Sequence, residues 1–188
     1  MGQAGAKLEV GGEQSSSPAF RLSDQLIGLG IGCRCESEED VPFLCSLYVS
    51  MRWEEVLNIE DWTDEQRLDF LESQFQAQRN HYLRHYEGAD FLILTFQEEP
   101  VGRLYLFRNS HEIRVVDIGF LPQFRNRGWG RAVFEALFDE ARPSGRTVSA
   151  HVEHYNPAQR LYARLGFRRI KDEGPYYLLE WSMEDAAA

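Results

Sequence analysis

Two stretches of the 188-residue chain hold residue types that could do chemistry together. The first is Arg125-Asn126-Arg127-Gly128-Trp129-Gly130-Arg131-Ala132, with two glycines among three arginines directly ahead of a helical pattern. A helix start leaves its first amides unpaired and carries partial positive charge, so an anion is favoured there. Gly128 and Gly130 would let the backbone approach a phosphate closely, while Arg125, Arg127 and Arg131 would supply charge and forked donors. Taken alone, the same residues also fit a charged surface turn. The second stretch is Asn156-Pro157-Ala158-Gln159-Arg160-Leu161-Tyr162-Ala163-Arg164-Leu165-Gly166-Phe167. Asn156 reads as a helix cap and Pro157 as the first helical residue, Ala158, Leu161, Tyr162 and Leu165 share one face, and Gly166 ends the helix. On spacing alone, Tyr162 is a buried aromatic.

Other suggestive residues fail their tests. Gly28-Leu29-Gly30-Ile31-Gly32 enters a strand where a dinucleotide-binding loop would leave one, and Cys33 occupies the last glycine position. No Gly-Lys-Ser/Thr phosphate loop occurs. His81 and His85 stand one helical turn apart without an intervening glutamate or a third ligand, and Cys33, Cys35 and Cys45 lack the partners of a zinc site. The expectation is no metal, reduced cysteines and a solvated histidine face.

The elements that must position the two stretches follow from periodicity. Residues 1–20 are rich in Gly, Ser and Gln and cannot offset their own ordering entropy, so 1–30 reads as a flexible N-terminal extension. A strand is predicted at 31–36, then a helix begun by Ser37 and carrying Val41, Leu44, Leu47, Tyr48 and Met51. Thr63-Asp64-Glu65-Gln66 opens a second helix with a capping box, its stripe being Leu68, Leu71, Phe75, Tyr82 and Tyr86. Strands at 89–96, 101–107 and 112–121 read as an antiparallel meander. The last is apolar on both faces, as a central strand should be. Trp129, Ala132, Val133, Ala136 and Leu137 mark an amphipathic helix, followed by a strand at 147–153, a short helix at 157–165 and a hairpin over 168–183 turning at Gly174-Pro175. This is an α/β chain of the α+β kind: one domain at 31–183 and a short tail at 184–188.

Charge narrows the partners. The net charge of −10 argues against nucleic acid. Residues 1–100 hold 19 acidic and 7 basic side chains, whereas 101–188 hold 11 and 13, so an anionic ligand suits the second half and a cationic one the first. No apolar run approaches a membrane span and the start lacks a secretory core, which predicts a soluble, cytoplasmic protein without membrane partners.

Together, Arg125 to Gly130 and Asn156 to Phe167 resemble the GNAT superfamily of acetyl-CoA-dependent N-acetyltransferases, whose patterns are Arg/Gln-x-x-Gly-x-Gly/Ala and Asn-x-x-Ala-x-x-x-Tyr-x-x-x-Gly-Phe about thirty residues apart. The resemblance is specific over 112–183 and does not extend to 1–30. It implies a mixed, mostly antiparallel sheet of six to seven strands flanked by helices, with a V-shaped splay between the parallel strands 112–121 and 147–153. Acetyl-CoA would sit in that splay as co-substrate. Its pyrophosphate would meet the amides of Arg125, Asn126, Arg127, Gly128, Trp129 and Gly130, its pantetheine would pair near Ile118 and Phe120, and Asn156 would touch it farther on. Trp129 is bulkier than the small aliphatic residue usual between the two glycines.

The likeness also implies the reaction: a primary amine attacks the thioester in a ternary complex, a strand amide holds the oxyanion, and Tyr162 protonates the departing thiolate. It assigns no base. Asp117 is one candidate, since desolvation on a buried strand would raise its pKa; Glu153 and Glu112 are others, and Asp117 paired structurally with an arginine such as Arg103 is the competing reading. The acceptor is a small-molecule or peptide amine, favoured as a cation by the acidic first half. A non-catalytic acyl-CoA-binding module of the same fold is the alternative, and oligomeric state is open, with a homodimer as one outcome.

Overall fold

The computed structural model of the chain describes residues 20–186. Its centre is a seven-stranded sheet in the order β1 (Ile31–Cys35), β2 (Asp90–Phe96), β3 (Glu99–Arg108), β4 (Glu112–Phe120), β5 (Thr147–Glu153), β7 (Tyr176–Trp181), β6 (Arg168–Glu173). β4 and β5 run parallel, and every other neighbouring pair is antiparallel. The short links at 97–98 and 109–111 make β2, β3 and β4 a meander, as their spacing predicts. A parallel pair needs a longer crossover, and α4 (Trp129–Ala141) supplies it.

Side chains that alternate along a strand serve two helical layers. Leu92, Leu94, Leu104, Leu106, Ile113 and Val115 pack with α4 and with Tyr162 of α5 (Gln159–Arg164). Ile93, on the other face, packs with Leu44 and Tyr48 of α2 (Val41–Val56) and with Leu71 and Phe75 of α3 (Asp64–His85). Thr63 caps α3 as the sequence implies: its hydroxyl accepts from the Gln66 amide at 3.2 Å while the Gln66 side chain takes the Thr63 amide at 2.8 Å. Ahead of α2, a single 3₁₀ turn at Glu38–Asp40 intervenes, and the Asp40 carboxylate accepts from the Ser37 amide and from Arg34.

Three boundaries differ from expectation. The flexible segment was expected through residue 30; its first nineteen residues lie outside those described, but from residue 20 the chain buries Phe20, Leu22 and Leu26 and forms the short α1 (Asp24–Gly28). Three apolar side chains spaced two and four apart were too sparse a signal to set against a polar surround. The helix expected at 157–165 begins only at Gln159, because Asn156 and Pro157 first make a tighter turn, their carbonyls accepting from the Gln159 and Arg160 amides. Finally, α6 (Met183–Ala186) occupies part of the expected tail.

Candidate active site

The sheet opens where β4 and β5 part. Their pairing runs from Glu112 opposite Thr147 to Val115 opposite Ala150 and then stops, although β4 continues to Phe120 and β5 to Glu153. At that point the β3–β4 register shifts, Leu106 facing Val115 and Tyr105 facing Asp117, so that Val116 is an extra residue. A bulge of this kind bends its strand and increases its twist, which turns the rest of β4 away from β5. On that side Ile118 and Phe120 present an edge that β5 does not pair, while β3 holds them from behind opposite Leu104 and Gly102.

The open edge leads to the glycine loop. After a 3₁₀ turn at Pro122–Phe124, Asn126 and Gly128 take left-handed conformations, φ +58° and +81°, and α4 starts at Trp129 with no side chain among the described residues capping it. The first amides of α4 are therefore left for a ligand or solvent. Glycine at 128 is required by that φ rather than by space, since nothing among the described residues lies within 4 Å of where a β-carbon would stand. Trp129 is buried and packs on Phe96, Phe120 and Phe124, so it anchors the start of α4 and can offer a cradle only its backbone.

The arginines are less available than the sequence suggests. Arg125 donates to the Phe120 carbonyl at 2.9 Å, Arg127 donates to the Gln123 carbonyl and lies over the Phe124 and Trp129 rings, and Arg131 pairs with Glu135. Two of the three brace the loop. Arg131, two-thirds exposed in a one-turn helix pair, is the most easily redirected. Asn156 uses its side-chain oxygen on the Ala158 amide, 2.9 Å away, and so shapes the turn into α5.

Tyr162 lies in α5 between the rings of Phe134 and Phe167, 6 % exposed. Among the described residues nothing hydrogen-bonds its hydroxyl. Burial, and secondarily the negative charge of Asp117, push its pKa above the usual phenol range, so it is a neutral donor at physiological pH. Asp117 belongs to the α3 side of β4, beside Tyr82 and the Gln78-bound Arg103, and Tyr162 to the α5 side.

The three carboxylates proposed as bases have different fates. Glu112 sits at the closed end of the β4–β5 pair, bound by Ser149 and Arg114. Asp117 accepts from buried Arg103 at 2.5 Å and from the Tyr82 hydroxyl at 3.1 Å, and Arg103 is held in turn by Gln78. Glu153 stands at the end of β5 on the open side and pairs with Arg52 of α2 at 2.6 Å.

The model of the Acetyltransferase (GNAT) family matches residues 53–167, more than half of the chain. The chain belongs to the GNAT acetyltransferase family. Solved structures agree on the GNAT fold. The PaiA N-acetyltransferase of Thermoplasma acidophilum, determined with coenzyme A, is 14 % identical with a TM-score of 0.60, covering 81 % of this chain and 98 % of that one. An acetyltransferase of Thermus thermophilus is 22 % identical at TM-score 0.59, covering 82 % and 98 %. A GNAT family acetyltransferase of Elizabethkingia anophelis with acetyl-CoA bound is 15 % identical at TM-score 0.52, covering 82 % and 99 %. No curated protein sequence matches the chain.

Within the GNAT frame, the structure adds residues that motif reasoning missed. Ser50, Met51 and Arg52, successive on α2, reach three walls of the opening: the Ser50 carbonyl meets Arg125 at 3.5 Å, Met51 packs on Gly119 of β4, and Arg52 binds Glu153 of β5. A β-carbon on Gly119 would lie 2.5 Å from the Met51 sulfur, so glycine is what lets α2 approach. The family match begins only at Trp53, and Arg52 is 101 residues from its partner, so no local pattern could join them. Among the described residues no His, Cys, Asp and Glu cluster could hold a metal ion, and no helix is long and apolar enough to cross a membrane.

Proposed function

We propose that the chain transfers an acetyl group from acetyl-CoA to the primary amine of a small, cationic acceptor by direct attack in a ternary complex. One observation carries the reading: beyond Val115 β4 leaves an edge that β5 does not pair, α4 then starts with no side-chain cap among the described residues, and the Tyr162 hydroxyl is neutral and without a partner among them. That supports a thioester laid along β4 with its phosphates at α4. Amides of Arg125, Asn126, Arg127, Gly128, Trp129 and Gly130 would meet the pyrophosphate, with Arg131 swinging from Glu135 to add charge; Ile118 and Phe120 would pair with the pantetheine, and Asn156 would border it.

The chemistry assigned to the residues balances. The acceptor arrives as an ammonium and gives one proton to Glu153, which faces the open side, whereas Asp117 already accepts from Arg103 and Tyr82. The free amine attacks the carbonyl carbon, and a strand amide near the Val116 bulge holds the oxyanion. Collapse breaks the carbon–sulfur bond as Tyr162 gives its proton to sulfur. The phenolate regains one from the new amide nitrogen, and Glu153 releases its proton to water.

Incubation of the protein with acetyl-CoA and a panel of polyamines, aminoglycosides, amino acids and peptides, following free thiol and the acetylated amine by mass spectrometry, tests this. Amine-dependent thiol release matched by amide is the expected result. Tight coenzyme A binding without turnover on any amine would make the chain a non-catalytic acyl-CoA-binding module.

A further inference from the structure

The Arg52–Glu153 pair does more than connect α2 to β5. Glu153 lies three residues beyond Ala150, the last β5 residue paired to β4, so its partner on α2 spans the open part of the sheet. The same turn of α2 is fixed to β4 through Met51 on Gly119, and Gln159 of α5 donates to the Glu153 and His154 carbonyls at 3.0 and 2.6 Å. Glu153 is thereby tied to the short helix that carries Tyr162.

Arg52 also has a second partner. One of its terminal nitrogens binds Glu153, and the other binds both oxygens of Glu55 at 3.1 and 3.0 Å. The three side chains sum to one negative charge. Breaking a partly buried ion pair is costly when it strands a charge. Here nothing is stranded if a cation takes the place of Arg52 at Glu153: the carboxylate keeps a positive partner and Arg52 keeps Glu55. An anion brings no such exchange, because its negative group would meet Glu55 and Glu153.

We infer that Arg52 is a tethered stand-in for the acceptor's ammonium: it occupies Glu153 in the free protein, is displaced by a cationic amine, and thereby selects cations over neutral and anionic acceptors. Arg52 acts through Glu153 and is a positioning residue; Glu153 touches the amine. Calling that cation the acceptor rests on the acetyl-transfer reading, whereas the exchange itself does not.

The test separates the two. Binding of pentylamine and of 1-pentanol, alike in length and differing in charge, is measured by protein NMR titration on the full chain, and kcat and KM for amines are measured with acetyl-CoA. A competitor that holds a site most of the time lowers apparent affinity by the unoccupied fraction, so Arg52→Gln should tighten pentylamine binding about tenfold and lower the amine KM similarly, leaving pentanol unmoved. Arg52→Lys should restore the wild-type values. Glu153→Gln should abolish the preference for pentylamine, and adding Arg52→Gln to it should change nothing further. Should Arg52→Gln still tighten amine binding without Glu153, a general field rather than an exchange would be acting, and the inference fails. It fails equally if Arg52→Gln weakens pentylamine binding or leaves it unchanged. Should Arg52→Gln fold poorly, Glu55→Gln reads the same device from the other side: Arg52, left to Glu153 alone, should weaken pentylamine binding severalfold, and unchanged binding contradicts the inference. Absence of turnover with every amine would remove the transferase reading while the binding results still decide the exchange.

Discussion

Arg103 and Asp117, on neighbouring strands beneath α3, form a 2.5 Å ion pair in which the arginine is 2 % exposed. Removing one partner of such a pair leaves a buried charge without compensation. Asp117→Asn should therefore lower stability by about 3 kcal/mol in urea unfolding. Turnover per folded molecule should fall by less than about tenfold, whereas Glu153→Gln, which removes the proposed base, should cost about a hundredfold. A hundredfold loss from Asp117→Asn at unchanged stability would make Asp117 the base instead.

The start of α4 depends on one backbone conformation. Gly128→Ala has room for its methyl group but must hold φ at +81°. A residue with a β-carbon pays about 1 kcal/mol there. Calorimetry should show weaker binding of coenzyme A by several-fold, and dephospho-CoA, which keeps the pyrophosphate, should lose as much.

Asp40 gives the fold a pH-dependent contribution. The Arg34 guanidinium and the Ser37 amide and hydroxyl hold its pKa at about 2 against an ordinary 3.8, although burial opposes them. Since the folded value is the lower one, the stabilisation is complete above the unfolded pKa and fades as pH falls from there through about 2. Arg34 is nearly half exposed, and solvent screening reduces the effect. Asp40→Asn should cost about 1 kcal/mol near neutral pH and almost nothing near pH 2, read by denaturant titration at both.

Cysteine reactivity should split by depth. Burial, followed by the charges of Cys35 and Asp90, pushes the Cys33 thiol up to about 12, so almost no thiolate forms near neutral pH. Alkylation with iodoacetamide, mapped by mass spectrometry on the folded protein, should label exposed Cys35 well before Cys33.

What the sequence disclosed depended on distance along the chain. The glycine turn into α4 and the glycine stop after α5 are local, each set by glycine and apolar spacing within a dozen residues, and both were legible, whereas the turn at Asn156 and Pro157 that delays α5 to Gln159 was not. The pairing of Asp117 with Arg103 was legible as one of two readings, because strands joined by a three-residue link must lie side by side. The engagement of Arg125 and Arg127 with their own loop was not, since a guanidinium's direction is decided by carbonyls and rings that only folding brings near. Val116 as an extra residue left no mark in strand periodicity, and Arg52's near neighbour Glu55 gave no hint of Glu153, 101 residues on.

Acetyl transfer with Tyr162 as the acid is the proposal on which the other predictions about activity depend. It is tested most directly by comparing amine-dependent thiol release from acetyl-CoA by the wild type and by Tyr162→Phe, both saturated with coenzyme and with affinity measured alongside. The expected result is a kcat lower by about a hundredfold with coenzyme affinity within about twofold. Equal kcat in the two proteins would contradict it.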